Sequence, residues 1–202
     1  WQAKGFIPSR KIESGYNTDQ PIRERGWTHW HHLYNPRQLL LIGLFQELAA
    51  ETAKTPEVGA ALLLGIGRMA DWTSRLCRWD SSAANEKGAQ TFFNQALNTL
   101  ANYATRAYNA LKTTWPLTFP ERNVGSDSQV IPLDARLTAY AADLWITDPP
   151  YADAVNYEEL SELFLAWYEK RLPVLFPARY GDRKRALAVK GAEQNFRTAI
   201  VE

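Results

Sequence analysis

The sequence predicts an α/β chain that is helix-rich overall: part of an open sheet, interrupted by a large, mainly helical insertion. Two observations predict it. Leu144, Trp145 and Ile146 form a short apolar run of the kind a central parallel strand needs, and Pro149 and Pro150 stop it because neither can donate to a ladder. Residues 36–115, by contrast, repeat apolar side chains at helical spacing over three long stretches.

Taken in order, residues 1–35 read as an irregular, extended arm punctuated by Gly5, Pro8, Gly15, Pro21 and Gly26. Its basic and aromatic residues (Arg10, Lys11, Arg23, Arg25, Trp27, His29, Trp30, His31, His32) have the composition to follow a phosphate backbone. Glu13, Asp19 and Glu24 dilute that charge, which favours an arm packed on the body of the protein. The three histidines come with no nearby cysteine or repeating ligand spacing, so no metal site is expected.

Residues 36–115 read as a helical module. Asn35 is a natural N-cap and Pro36 fits the first helical position, opening a helix to about Ala53 through Leu39, Leu40, Ile42, Gly43, Leu44, Phe45 and Leu48. Thr55-Pro56-Glu57 opens a second helix in the same way, to roughly Leu76. A third is expected from Lys87 to Leu111, burying Phe92, Phe93, Ala96, Leu97, Leu100 and Tyr103. Arg37 and Gln38, in the first helix's first turn, have two readings: contact with a substrate such as DNA, or local structure.

Residues 116–202 form the α/β segment. A loop from Pro116 to Ser128 leads to a short strand at Gln129–Leu133, then the strand at 143–147. After Tyr151, an amphipathic helix from Tyr157 to Arg171 turns Leu160, Leu163, Phe164, Trp167 and Tyr168 inward and leaves Glu158, Glu159, Glu162, Glu169 and Lys170 solvated. Arg179, Arg183, Lys184 and Arg185 make one dense basic patch, a candidate for phosphate contacts, though a charge run is more often a solvated face.

The chemistry sits in Asp148-Pro149-Pro150-Tyr151. An aromatic amine such as adenine N6 is a poor nucleophile because its lone pair is delocalised into the ring. Acceptors aimed at both N–H groups favour a more tetrahedral nitrogen, able to attack a methyl sulfonium in line. The Asp148 carboxylate and the Pro149 carbonyl, held at a strand's carboxyl end, are two such acceptors. The base must leave the duplex to reach them, and the Tyr151 ring offers a stacking face in exchange. Asn156 and Tyr157 lie where a substrate loop is expected, Tyr157 as a base clamp or as a buried structural residue. The competing account of the motif is a proline-rich turn with Asp as a capping residue.

The flanks Ile146 to Trp167 resemble the catalytic region of a family of adenine-specific DNA methylases, long bacterial and archaeal proteins that often carry a zinc-ribbon insertion. Asn35-Pro36-Arg37-Gln38-Leu39-Leu40, Asp71 to Trp79 and Phe92 to Leu97 are similar to further family segments in the same order. The resemblance implies a partial Rossmann-like methyltransferase sheet, S-adenosylmethionine as cofactor, DNA as partner and methylation of adenine N6 in a bacterial or archaeal cytoplasm. In the family an acidic residue after the preceding strand approaches the cofactor's adenine side. Asp134 matches that place, with capping of a short helix as the equal alternative.

The sequence departs from the family in one respect that matters. The cofactor's methionine end needs a glycine-rich turn after a first strand, and none is present. Gly65-Ile66-Gly67 follows an apolar run but continues at helical spacing through Trp72, so it reads as a helix with two tolerated glycines. Cys77 is the only cysteine, which excludes both an internal disulfide framework and a paired-cysteine zinc site. With 23 basic against 22 acidic residues, no global field pulls the chain onto nucleic acid, and no apolar run spans a bilayer. Eight Trp and nine Tyr are too many to be base-stacking platforms, so most belong in the core.

Trp1 as first residue and the missing turn lead to the expectation of an internal fragment of a longer polypeptide, or a split subunit whose partner supplies the cofactor turn. Either way the isolated chain is expected to be inactive. Two alternatives stand beside adenine methylation: a non-enzymatic helical binding or scaffolding piece, and amine methylation of cytosine N4, RNA or a protein amide.

Overall fold

The computed structural model describes residues 1–77, 79–80, 87–88, 90–92, 128–131, 133, 137–148 and 157–177. Over these residues the architecture is helical. In chain order they form α1 (Asp19–Arg25), a 3-10 turn (Trp30–Leu33), α2 (Pro36–Thr52), α3 (Pro56–Thr73), β1 (Trp79–Asp80), β2 (Lys87–Gly88), α4 (Tyr157–Tyr168) and α5 (Leu172–Leu175).

Helix α2 begins where its caps dictate. The Asn35 side chain accepts the Gln38 backbone N–H at 2.9 Å, and the Gln38 side chain accepts the Asn35 N–H at 2.8 Å, closing a reciprocal box around Pro36. Gln38 is fully buried, so its first-turn position is structural. Thr55 caps α3, accepting the Val58 N–H, with Pro56 at the first helical position. Gly26, at φ +66°, ends α1 in the left-handed conformation that other residues adopt at a cost.

The core is assembled from the arm, α3 and α4. Trp27, Trp30, Leu33 and Tyr34 from the arm join Ile42 of α2, Leu63, Ile66, Met69 and Ala70 of α3, and Leu163, Ala166 and Trp167 of α4. Hydrogen bonds tie the same elements. Trp167 Nε1–H donates to the Tyr34 hydroxyl at 3.1 Å, Tyr34 donates to the Ala70 carbonyl at 3.0 Å, and the Gln46 amide donates to the Trp167 carbonyl at 2.9 Å. The Tyr34 and Trp167 rings meet edge to face, with centroids 5.2 Å apart.

Four expectations are corrected. No Rossmann-like sheet exists among the described residues, whose only sheet is the two-residue antiparallel pairing of β1 with β2, beside one isolated bridge between Lys11 and His29. The expected strand at 143–147 lies unpaired and open to solvent, with Leu144, Trp145 and Ile146 at 74%, 57% and 87% exposure. Val130, Ile131 and Leu133 of the other expected strand are exposed and unpaired as well. An apolar triplet closed by prolines carries the composition of a buried strand, but a parallel strand exists only when neighbours pair with it.

Second, Lys87–Gly88 pairs with Trp79–Asp80 instead of opening a helix, residues 90–92 are not helical, and 93–111 lie outside the described residues. Third, the arm contains α1 and the 3-10 turn rather than irregular chain alone. Fourth, Glu162 is buried against Arg10 at 3.8 Å rather than solvated, because the arm covers that flank of α4.

Gly65 and Gly67 are helical and buried in α3, and Gly67 marks its contact with α4. A Cβ at Gly67 would collide with the Tyr168 hydroxyl. Replacing Gly67 by alanine sets a helix-propensity gain of about 1 kcal/mol against overpacking of about 1–3 kcal/mol. We expect Gly67→Ala to lower stability in urea unfolding. Adding Tyr168→Phe should return part of the loss, a coupling that independent sites would not show.

The arm also carries a histidine cluster. His31 Nδ1–H donates to the Pro8 carbonyl at 3.0 Å, since a carbonyl only accepts, while His32 Nδ1 accepts the Thr28 N–H at 3.1 Å and is therefore bare. Desolvation first, and the neighbouring imidazoles second, hold both residues below the ordinary histidine value of 6.5. A folded value below the unfolded one means that the unfolded chain binds more protons. This contribution to stability is full above pH 6.5 and falls as pH drops below it. The melting midpoint should fall as pH drops below 6.5, and His31→Gln with His32→Gln should flatten that slope in a scanning-fluorimetry series.

Candidate functional site

The motif chosen from sequence begins at Asp148, which is exposed in a largely exposed stretch without regular secondary structure, residues 138–148. Pro149, Pro150, Tyr151 and Asn156 lie outside the described residues, as do Asp134 and the basic residues Arg179, Arg183, Lys184 and Arg185. The chain next enters view at Tyr157, the first residue of α4. Arg37 is exposed in the first turn of α2. Among the described residues, Asp148 therefore stands alone of the proposed catalytic set, and no described side chain closes over it.

What the structure does define is the far side of the motif. Helix α4 is held from three directions. Leu163, Ala166 and Trp167 are buried in the core. The Glu159 carboxylate accepts the Tyr16 and Asn17 backbone N–H groups at 2.8 and 2.6 Å. At the other end, Lys170 Nζ donates to the Gln2 and Ala3 carbonyls at 3.1 and 2.9 Å. Helix α4 is thus a fixed element of the described fold.

Two clusters escaped the sequence reading. The first is the Glu159 and Arg10–Glu162 clamp, whose carboxylates looked like an ordinary solvated helix face; nothing in the local pattern points to the arm lying over it. The second lies at the carboxyl end of α3. There the Asp71 carbonyl accepts from Thr91 N–H at 3.0 Å, Thr91 Oγ1 at 2.6 Å and Cys77 Sγ at 3.1 Å, and its carboxylate accepts Thr91 N–H at 3.1 Å. Ser74 Oγ lies 2.8 Å from the Thr91 hydroxyl and accepts the Leu76 N–H. Asp71, Ser74 and Cys77 at spacings of three signal one helical face, but Thr91, the residue that gathers them, is twenty positions from Asp71.

Chemically this second cluster is a clasp. Burial raises the Asp71 carboxyl above its ordinary value, against the opposing pull of the Thr91 hydrogen bonds and Arg68. Burial also pushes the Cys77 thiol up to about 11. Such a thiol supplies almost no thiolate at neutral pH, and so no nucleophile.

Nor do the described residues fit the methionine end of S-adenosylmethionine. Gly65 and Gly67, the only closely spaced glycine pair in the sequence, are taken up in α3, so they form no backbone cradle after a strand. Among the described residues, no three His, Cys, Asp or Glu side chains are grouped to hold a metal ion, and no helix is long and apolar enough to cross a membrane.

No protein-family model matches the chain, and no curated protein or solved structure matches it significantly.

The buried clasp makes a direct prediction. Relative to unfolded protein, whose thiol sits near the ordinary 9.0, native Cys77 should react with iodoacetamide at pH 8 about 100-fold more slowly, since a shift from 9.0 to about 11 removes that much thiolate. Rapid native-state labelling would mean that the cluster opens.

Proposed function

We propose that the chain carries the amine-gripping part of an S-adenosylmethionine-dependent DNA adenine-N6 methyltransferase. The observation that carries this reading is Asp148-Pro149-Pro150-Tyr151, with the resemblance of its flanks. Two structural facts support it: Asp148 is solvent-exposed, and the helix that begins at Tyr157, six residues beyond the motif, is clamped.

In this reading the Asp148 carboxylate and the Pro149 carbonyl each accept one N–H of the flipped base, and Tyr151 stacks on its ring. The cofactor supplies the methyl group, and its binding turn comes from residues other than those described. Preorganised acceptors act strongly only where water is excluded, and Asp148 stands open to solvent. The grip therefore needs walls from elsewhere, in the same polypeptide or a complementary subunit, and the isolated chain is inactive. Among the alternatives, a helical binding piece draws on a specific observation, the apolar outer face of α2.

The test is methyl transfer from radiolabelled S-adenosylmethionine to adenine-containing DNA by the complete polypeptide, with cytosine-only DNA and RNA as parallel substrates. Asp148→Ala should lower kcat by about 10²–10³-fold, the scale set by removing one preorganised hydrogen-bond partner. Undiminished turnover in that variant would remove Asp148 from the mechanism.

A further inference from the structure

Helix α2 is built inside out. Its buried face carries Gln38 and Gln46, both at 0% exposure, beside Ile42, while Leu40, Leu44 and Leu48 stand outward at 48%, 45% and 57%. Apolar side chains on every side are the mark of a helix covered on every side. The described fold covers only one, and an exposed leucine row of this kind marks an interaction surface.

The row also has an internal symmetry. Leu40 and Leu48 lie four residues either side of Leu44, and Arg37 and Glu51, both exposed, lie seven either side. At 3.6 residues per turn, all five project within about 40° of the Leu44 direction, along about 21 Å of helix. The stripe reads Arg–Leu–Leu–Leu–Glu, positive at one end and negative at the other.

We infer that this stripe is a self-association surface whose partner is a second copy of the chain, packed antiparallel about a two-fold axis through Leu44. A two-fold interface brings each residue opposite its mirror position. Leu44 then meets Leu44 of the other copy, Leu40 meets Leu48, and Arg37 meets Glu51 at both ends. A parallel arrangement would set Arg37 against Arg37 and Glu51 against Glu51, so the charges select the antiparallel one. Pairing at both ends requires the shallow crossing class of about 20°. Arg37 thereby gains a role in assembly that does not depend on DNA.

Sedimentation equilibrium of the chain between about 1 and 100 µM tests this, a range suited to an interface at the small end of the stable class. The expected result is a concentration-dependent rise from one to two chain masses. Leu44→Glu, which sets two carboxylates on the axis, should leave a monomer throughout, with circular dichroism reporting an unchanged fold. Arg37→Glu and Glu51→Arg should each raise the dissociation constant about tenfold through like-charge contacts, and the double exchange should restore it. Overturning results are a monomer at about 100 µM, a dimer that survives Leu44→Glu, or a double exchange no tighter than either single change. Leu40→Gln with Leu48→Gln provides a neutral check should Leu44→Glu fail to fold, and a dimer as tight as the unmodified one in that variant overturns the inference equally.

Discussion

Everything in the described fold passes through one buried chain of hydrogen bonds, Gln46 to Trp167 to Tyr34 to Ala70. Each member comes from a different segment: α2, α4, the arm and α3. A buried donor or acceptor left without a partner costs about 1–3 kcal/mol, so none of these segments can leave without stranding polar groups of the others. Hydrophobic burial alone would allow α4 to slide on α3. The indole N–H of Trp167 has one direction, and its acceptor is a hydroxyl carried by the arm.

That constraint explains why the arm spends its charge internally. Arg10 lies against Glu162, Arg23 against Asp19 and Glu24, and Lys170 is taken by the Gln2 and Ala3 carbonyls. The Arg75 guanidinium stacks on Trp27 at 4.5 Å. Of the arm cations that looked, in composition, like a phosphate-tracking set, Arg10 holds the arm to α4 and Arg23 pairs within α1. Their energetic value is uneven, since exposed pairs such as Arg23–Asp19 contribute little, whereas the buried Arg10–Glu162 pair is costly to break on one side only.

The sequence disclosed what is local and missed what is relational. Asn35-Pro36 and Thr55-Pro56 announce helix starts because capping is decided within four residues, and α2 and α3 begin where those signals stand. Gly65 and Gly67 of α3 were legible as helical, but the reason at Gly67, the approach of Tyr168 from α4, is a contact across about a hundred residues. The Leu144–Trp145–Ile146 run misled for the same reason. A strand is a relation between neighbours, and three apolar residues before two prolines do not state whether neighbours are present. In the site, Asp148 was readable as a candidate acceptor; the clamp on α4 and the Asp71–Thr91 clasp were not, because each joins residues distant in sequence.

Two exposed features of the described residues, Asp148 and the outer face of α2, carry the two proposals. At Asp148 a would-be electrostatic grip faces water, where a hydrogen bond to an amine competes with solvent and contributes little. Along α2, leucines occupy positions that solvent would ordinarily assign to polar residues, while glutamines sit inside. The two cases differ in what they need. The α2 stripe is self-complementary in its leucine spacing and charge, and so under that inference is satisfied by another copy of the same surface. Asp148 is not: an acceptor is completed by donors and by walls that keep water out, and a second acceptor of the same sign would only repel it. Under the proposed reading, assembly along α2 and closure over Asp148 are therefore separate requirements, met by different surfaces.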